Sequence, residues 1–263
     1  MTVSPLLNII YPESDGQPVA DNTIQFRYIT MIHGGLDSWF KDNPNVFVAA
    51  DLFWYPVEGE PWTRQAPDVM VIFGRSKGDR RSYKQWEEEN IPPQVVFEIA
   101  SKSNTIEELE SSKLQFYQRY GVEEYYLYDP ERGKLKGWLL TTRVISPIIL
   151  MDGWESPRLQ IKFTLVGKEL QLYLPNGDRF LNFVELFEQR QFAELAKQEA
   201  ELAKQEAELA KQEAELAKQE AEKQRDEEAK ARRDAIPKLR NMGLNDQQIA
   251  EILSLSLDEL NSV

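Results

Sequence analysis

Cysteine is absent from the 263 residues, which excludes disulfides, thiolate zinc sites and cysteine nucleophiles together. Histidine occurs once, at His33 in "MIHGG". One imidazole cannot build a histidine metal cluster, and the glycines that follow suggest a loop or a helix end. No run of about twenty apolar residues occurs, so no segment reads as a membrane span. The opening "MTVSPLLNIIYPESDG" lacks both the basic and the apolar stretch of a secretory signal. Together these absences lead us to expect a cytoplasmic protein. Excess positive charge is missing as well. The formal charge is −13, with 19 cationic and 26 anionic side chains in residues 1–187 and 12 and 18 in residues 188–263. A phosphate backbone finds no attractive global field here. Contact with nucleic acid therefore needs a local basic patch or a metal ion.

Order of one kind lies in the C-terminal third. "AELAKQE" repeats four times without error from Ala193 to Glu220, with no Gly or Pro, and strong helix formers fill every position. Ala193, Ala196, Ala200 and Ala203 form a narrow alanine seam, flanked by Leu195, Leu202, Leu209 and Leu216. Stable coiled coils put large aliphatics at both core positions. The pattern thus suits a weak alanine-rich coiled coil or a solvated single helix, supported by pairs such as Glu194 and Lys197. Beyond Pro237, Gly243 ends a helix, and Asn245 caps the next with Gln248 three residues on, before "SLSLDEL". A helix-turn-helix DNA reader has this outline, but the segment is poor in cations, which favours a small packing or interaction module.

The remainder alternates strands and helices. Strand-like runs are "NVFVAADLFWYP", "PDVMVIFG", "QVVFEIA", "EEYYLYDP", "KLKGWLL", "RLQIKFTLVG" and "ELQLYLP". Helices are expected near residues 24–41 and from Ile106 to Tyr120, the second opened by Thr105 and Glu108 as a capping box. The order predicts an α/β (α+β) fold with a mixed central sheet. The many aromatics of "LFWYP", "EEYYLY" and "KGWLL" read as core and sheet-face residues.

Glu98 is the anomaly of this pattern. A carboxylate near the end of a buried strand is costly unless something pairs with it or binds it. Asp68 opens the preceding strand after Pro67, and Lys113 lies in the apolar stripe of Leu109, Phe116 and Tyr120 on the following helix, with Tyr117 four residues on. A lysine there either snorkels or is aimed at something. Carboxylates on adjacent strands offer hard oxygen ligands that suit Mg²⁺. We therefore expect Glu98 and Asp68 to hold a divalent ion, with Lys113 stabilising developing charge or orienting a water. Two carboxylates alone would also serve a glycoside hydrolase, a reading the lysine disfavours.

In this order and on these elements, the residues resemble the PD-(D/E)XK nuclease superfamily. They are more closely similar to the Uma-two family of bacterial restriction-type endonucleases. "SDGQPVADN", "VFVAADLFWYP", "APDVMVIFG", "DRRSYKQWEEENIPPQVVFEIAS", "KLQFYQRYGVEEYYLYDP", "GWESPRLQIKF" and "LYLPNGDRF" carry the resemblance, over about residues 10–187. It implies a restriction-endonuclease-like domain at 1–187, followed by the heptad-repeat helix at 188–235 and the short helical module at 236–263. It further implies a DNA endonuclease dependent on Mg²⁺ (or Mn²⁺), with Asp68 as the motif aspartate and Glu98 as the second acid. The usual lysine position, two residues after Glu98, holds Ala100. The family is thought to supply its lysine from the next helix, which points to Lys113, with Lys102 as the nearer alternative. Asp51 is a candidate further ligand.

For DNA contact, the candidates are Arg75, Lys77, Arg80, Arg81 and Lys84 in "GRSKGDRRSYKQW", with Tyr83 and Trp86 interleaved to stack on a base. The alternative is a solvated loop. Cutting two strands calls for two sites, hence a homodimer through the nuclease domain or the helical tail. The rival to an enzyme is a catalytically inactive nuclease-fold scaffold or regulator that assembles through that tail.

Overall fold

The computed structural model describes residues 9–261 except 15, 17–19 and 106. The first eight residues and Ile106, the expected start of the second helix, lie outside the described residues. Contacts divide the chain into two units, residues 1–188 and 189–263.

The first unit opens with α1 (Thr23–Trp39), whose N-terminus is capped by the Asn22 side chain accepting from the Gln25 amide at 2.8 Å. Its buried stripe runs through Ile29, Ile32 and Leu36. His33 sits inside this helix, not in a loop or at an end, and the helix continues through Gly34 and Gly35. Gly35 has a packing reason: a Cβ there would lie 2.3 Å from the Phe180 ring. Strands follow as β1 (Val46–Ala49), β2 (Trp54–Tyr55), β3 (Val69–Phe73), β4 (Tyr83–Lys84) and β5 (Val95–Ile99). A π-helical turn (Glu108–Ser112) then runs into α2 (Lys113–Tyr120), and β6 (Glu124–Asp129), β7 (Lys134–Leu140), β8 (Ile145–Pro147), β9 (Lys162–Val166) and β10 (Glu169–Tyr173) complete the set.

Six strands form the central sheet in the order β1-β3-β5-β6-β7-β8. Only β5 and β6 pair in parallel; the other neighbours are antiparallel. A parallel step cannot be closed by a hairpin and needs a crossover, which the π turn and α2 supply. Side chains alternate across the strands. Val46, Val48, Val69, Val71, Val95 and Phe97 face α1 and the β9–β10 hairpin. Phe47, Met70, Ile72 and Val96 face Leu109, Leu114 and Tyr117 on the crossover. Each such apolar side chain contributes about 1.5–3 kcal/mol when fully buried, so both helices are fastened to the sheet by their stripes. Gly121 ends α2 at φ +97, where a Cβ would also approach Pro92 to 2.9 Å.

The π turn corrects the expected helix face. Its extra residue rotates the helix, so Leu109, Leu114 and Tyr117 are the buried positions, while Phe116 and Tyr120 are only partly covered. At the start of this crossover Thr105 Oγ1 does accept from the Glu108 amide at 3.0 Å. The aromatics Tyr125, Tyr126, Tyr128 and Trp138 are buried, as their strand contexts suggested.

The long helix α3 (Phe183–Asn241) begins where Asn182 Oδ1 accepts from the Glu185 amide and Glu185 Oε2 from the Asn182 amide, at 3.1 and 2.9 Å. It passes through Pro237. In the second unit, α4 (Asp246–Leu253) is opened by the Asn245/Gln248 capping box, and α5 (Leu257–Asn261) follows. Ile236, Ile249 and Leu260 form a small core with Leu239, Leu244, Leu253 and Leu255. The first turn of α5 carries Asp258 and Glu259.

Candidate active site

Register brings two acids together. Val69 pairs with Phe97 and Met70 with Val96, so the next step of the antiparallel ladder sets Asp68 opposite Glu98, on one face of the sheet. That is the face covered by α2. Asp68 Oδ2 accepts from the Ile99 amide at 2.6 Å, and the Ile99 carbonyl accepts from Gln25 Nε2 at 3.0 Å. The end of β5 is thus clamped from both sides.

Lys113 and Tyr117, four residues apart on α2, each take one oxygen of Glu98. Lys113 Nζ lies 2.9 Å from Oε2, and the Tyr117 hydroxyl donates to Oε1. The ion pair is buried, with the side chains 12% and 3% exposed for Lys113 and Glu98. Burial raises the Tyr117 phenol well above its ordinary pKa, and the Glu98 charge adds to this. Burial would strip Lys113 of its proton, but Glu98, by charge and by hydrogen bond, holds its pKa above the usual lysine value. Lys113 is therefore an ammonium group near neutrality, not a base. Asp68 moves the other way: burial, then repulsion by Glu98, pushes its carboxyl up to about 8.

Asp68, Glu98 and Lys113 line one cavity of about 420 Å³, to which Asp51, Arg64 and Glu108 also contribute. Asp51 stands at the turn after β1 with φ +49, a conformation aspartate tolerates, and its amide donates to the Pro67 carbonyl at 3.1 Å. Asp21 borders the same cavity; the hydroxyls of Ser101 and Ser103 hold its carboxyl below the usual range. A larger cleft of about 840 Å³ runs along the β9–β10 hairpin and includes Glu155 and Lys162. It brings together no comparable constellation.

Of the lysine alternatives, Lys102 is 82% exposed and pairs with Glu131 at 3.6 Å. Ala100 continues the ladder through its amide to the Tyr128 carbonyl and packs under α2. Lys113 is the lysine that reaches the carboxylates. The five loop cations are all engaged internally: Arg75 and Arg80 with Glu88, Lys77 with Asp37, Arg81 with Glu13 and Lys84 with Glu87. Arg81, at 84% side-chain exposure, is the most open of them. Tyr83 cannot stack on a base: it is fully buried, and its hydroxyl donates to the Ile91 carbonyl at 2.6 Å. Trp86 packs on Tyr11, with ring centres 5.1 Å apart. Sequence reasoning missed Gln25 and Arg64. Gln25 had left a signal, as a polar residue four and seven positions before the apolar Ile29 and Ile32.

Among the described residues, no group of three or more His, Asp or Glu side chains converges to cage an ion unaided. The donor set nevertheless suits a hard cation that keeps several waters. Burial and then the Glu98 charge raise the Asp68 pKa, and a cation beside the two carboxylates would offset both.

One helix, three antiparallel strands, a crossover helix and a parallel strand make a mixed α/β fold, with two facing acids and a lysine of the crossover helix on one face of its central sheet. The sequence matches the Uma2 family, described as "Putative restriction endonuclease", over residues 11–161. That is more than half of the chain, which belongs to this family. A crystal structure described as "a putative nuclease belonging to DUF820", from Anabaena variabilis, is 13% identical with a TM-score of 0.39, covering 53% of this chain and 75% of that one. A search of curated proteins returned no match.

Proposed function

We propose that the protein is a metal-dependent DNA endonuclease, with Asp68 and Glu98 as the ligands of Mg²⁺ or Mn²⁺, Asp51 as a further ligand, and Lys113 as the cationic catalytic group. The single observation that carries this reading is the fork at Glu98. A buried carboxylate faces Asp68 on the neighbouring strand and an ammonium group from the crossover helix, within one cavity.

Each side chain has a definable task. The Ile99 amide fixes one oxygen of Asp68, which would give up its proton to become a ligand. Tyr117 fixes the rotamer of Glu98. Lys113 stays protonated and is placed to meet the negative charge that grows on a phosphate during attack. When bound, the ion would polarise the phosphate and make a water more acidic. Arg81 and Lys77 are the loop cations best exposed to track a DNA backbone once it displaces their weak surface pairing.

The domain division at 187 and 235 is part of the proposal, with α3 as an assembly element. Leu195, Leu202, Leu209 and Leu216 are each more than half exposed along it, a row a second copy could cover.

One observation favours the rival reading of an inactive scaffold. Both oxygens of Glu98 already have internal donors, so its burial is balanced without an ion. Plasmid nicking separates the two readings. An endonuclease nicks in Mg²⁺ or Mn²⁺, stops on chelation and is silent as Glu98→Gln. A scaffold gives no nicking in any of these samples.

A further inference from the structure

A nuclease site needs a group that receives the phosphodiester itself, and this cavity holds one that no motif marks. Arg64 lines the same cavity as Asp68, Glu98 and Lys113. Its Nη1 donates to the Pro61 carbonyl at 2.9 Å, and its guanidinium lies 4.7 Å from the centre of the Phe53 ring. The Tyr55 hydroxyl is beside it. Among the described residues Arg64 forms no ion pair, whereas Arg75, Lys77, Arg80, Arg81 and Lys84 each hold a carboxylate.

That contrast is informative because the cavity is rich in carboxylates. A mobile arginine used only to neutralise charge would settle on one of them. Arg64 is instead ordered by a carbonyl and by an aromatic face, contacts that fix its position without cancelling its charge. The carbonyl bond occupies one of five donors, and the planar fork that remains matches two oxygens of a phosphate. Its neighbours also explain its order: Trp54 and Gln65 exchange backbone hydrogen bonds at 2.8 and 3.2 Å, which pins the segment carrying Arg64 to β2.

We infer that Arg64 is a phosphate-binding residue that grips the DNA backbone in this cavity through its guanidinium fork. The inference rests on the endonuclease reading and adds a substrate contact to it.

The test is binding of a short duplex DNA to the full chain across a salt series, with Ca²⁺ replacing Mg²⁺. Wild type, Arg64→Gln and Arg64→Lys are compared, with thermal melting as the folding control. Loss of one phosphate contact lowers the slope of log K against log salt by about 0.9. Arg64→Gln is expected to bind at least tenfold more weakly with that loss of slope. Arg64→Lys keeps the slope, because the charge remains, but binds more weakly because the fork is gone. A change confined to loop structure would not produce this pattern.

Wild-type affinity and slope in a folded Arg64→Gln overturn the inference and leave the nuclease reading standing. Should Arg64→Gln not fold, Arg64→Lys decides: wild-type affinity removes the fork, and a lost slope removes the charge contact. Absence of DNA binding in wild type overturns both readings.

Discussion

Asp68 gives the sharpest quantitative expectation, and the perturbation is Asp68→Asn in the metal-free protein. Burial, then Glu98, raises its carboxyl from 3.8 to about 8. Between those values the folded state binds more protons than the unfolded state, so folding stability falls as pH rises. The contribution is fully favourable at low pH and lost once pH passes the folded value. At face value a shift of this size corresponds to about 6 kcal/mol. Water entering the cavity and local relaxation bring the expected effect to about 2–3 kcal/mol. Urea melts at pH 5 and pH 8.5 measure it. Asparagine carries no charge at either pH, so the variant gains about 2–3 kcal/mol relative to wild type on moving to the higher pH. Equal pH dependence in the two proteins would refute the claim that Asp68 and Glu98 are forced together in a poorly solvated pocket. Saturating Mg²⁺ or Mn²⁺ at pH 8.5 is expected to stabilise wild type, since a ligand that binds only the folded state adds about 2.7 kcal/mol at a hundredfold excess over its Kd. The variant should respond less.

Three other expectations are independent of that titration. Lys113→Ala should slow plasmid nicking by about a hundredfold or more, and Lys102→Ala should leave it unchanged; equal effects would mean that the helix is not the source of the lysine. Glu98→Ala strands a buried ammonium group at Lys113 and should cost about 3–5 kcal/mol in a denaturant melt, whereas a cost under 1 kcal/mol would mean that the pair is open to water. Residues 1–188 expressed alone should melt within a few degrees of the corresponding transition in the full chain; loss of folding would make the helical tail part of the core.

The central features of the site were readable because they break local rules. Glu98 stood out as a charge in "QVVFEIA", and Lys113 as a charge among Leu109, Phe116 and Tyr120, although only the first of these three is buried. The element order was readable from the same periodicities. What escaped depends on contacts distant in sequence. The two- and three-residue strands β4 and β8 exist only through their partners, β2 and β7. The rotation caused by the π turn moved the buried face from Phe116 to Leu114 and Tyr117, and no residue pattern marks such a turn. The loop cations read as a patch because the partners of two of them, Asp37 and Glu13, lie far away in sequence, and the nearby Glu87 and Glu88 carry no mark of pairing. Arg64 has no sequence signature at all; only the cavity gives it meaning.

Calorimetric titration of Mn²⁺ into wild type and Glu98→Gln at pH 8.5 tests the central claim most directly, since that pH lies above the value of about 8 to which the Asp68 carboxyl is raised. The account predicts saturable binding in wild type and its loss in a folded Glu98→Gln. Identical isotherms in the two proteins, or no binding by a folded wild type, would contradict it.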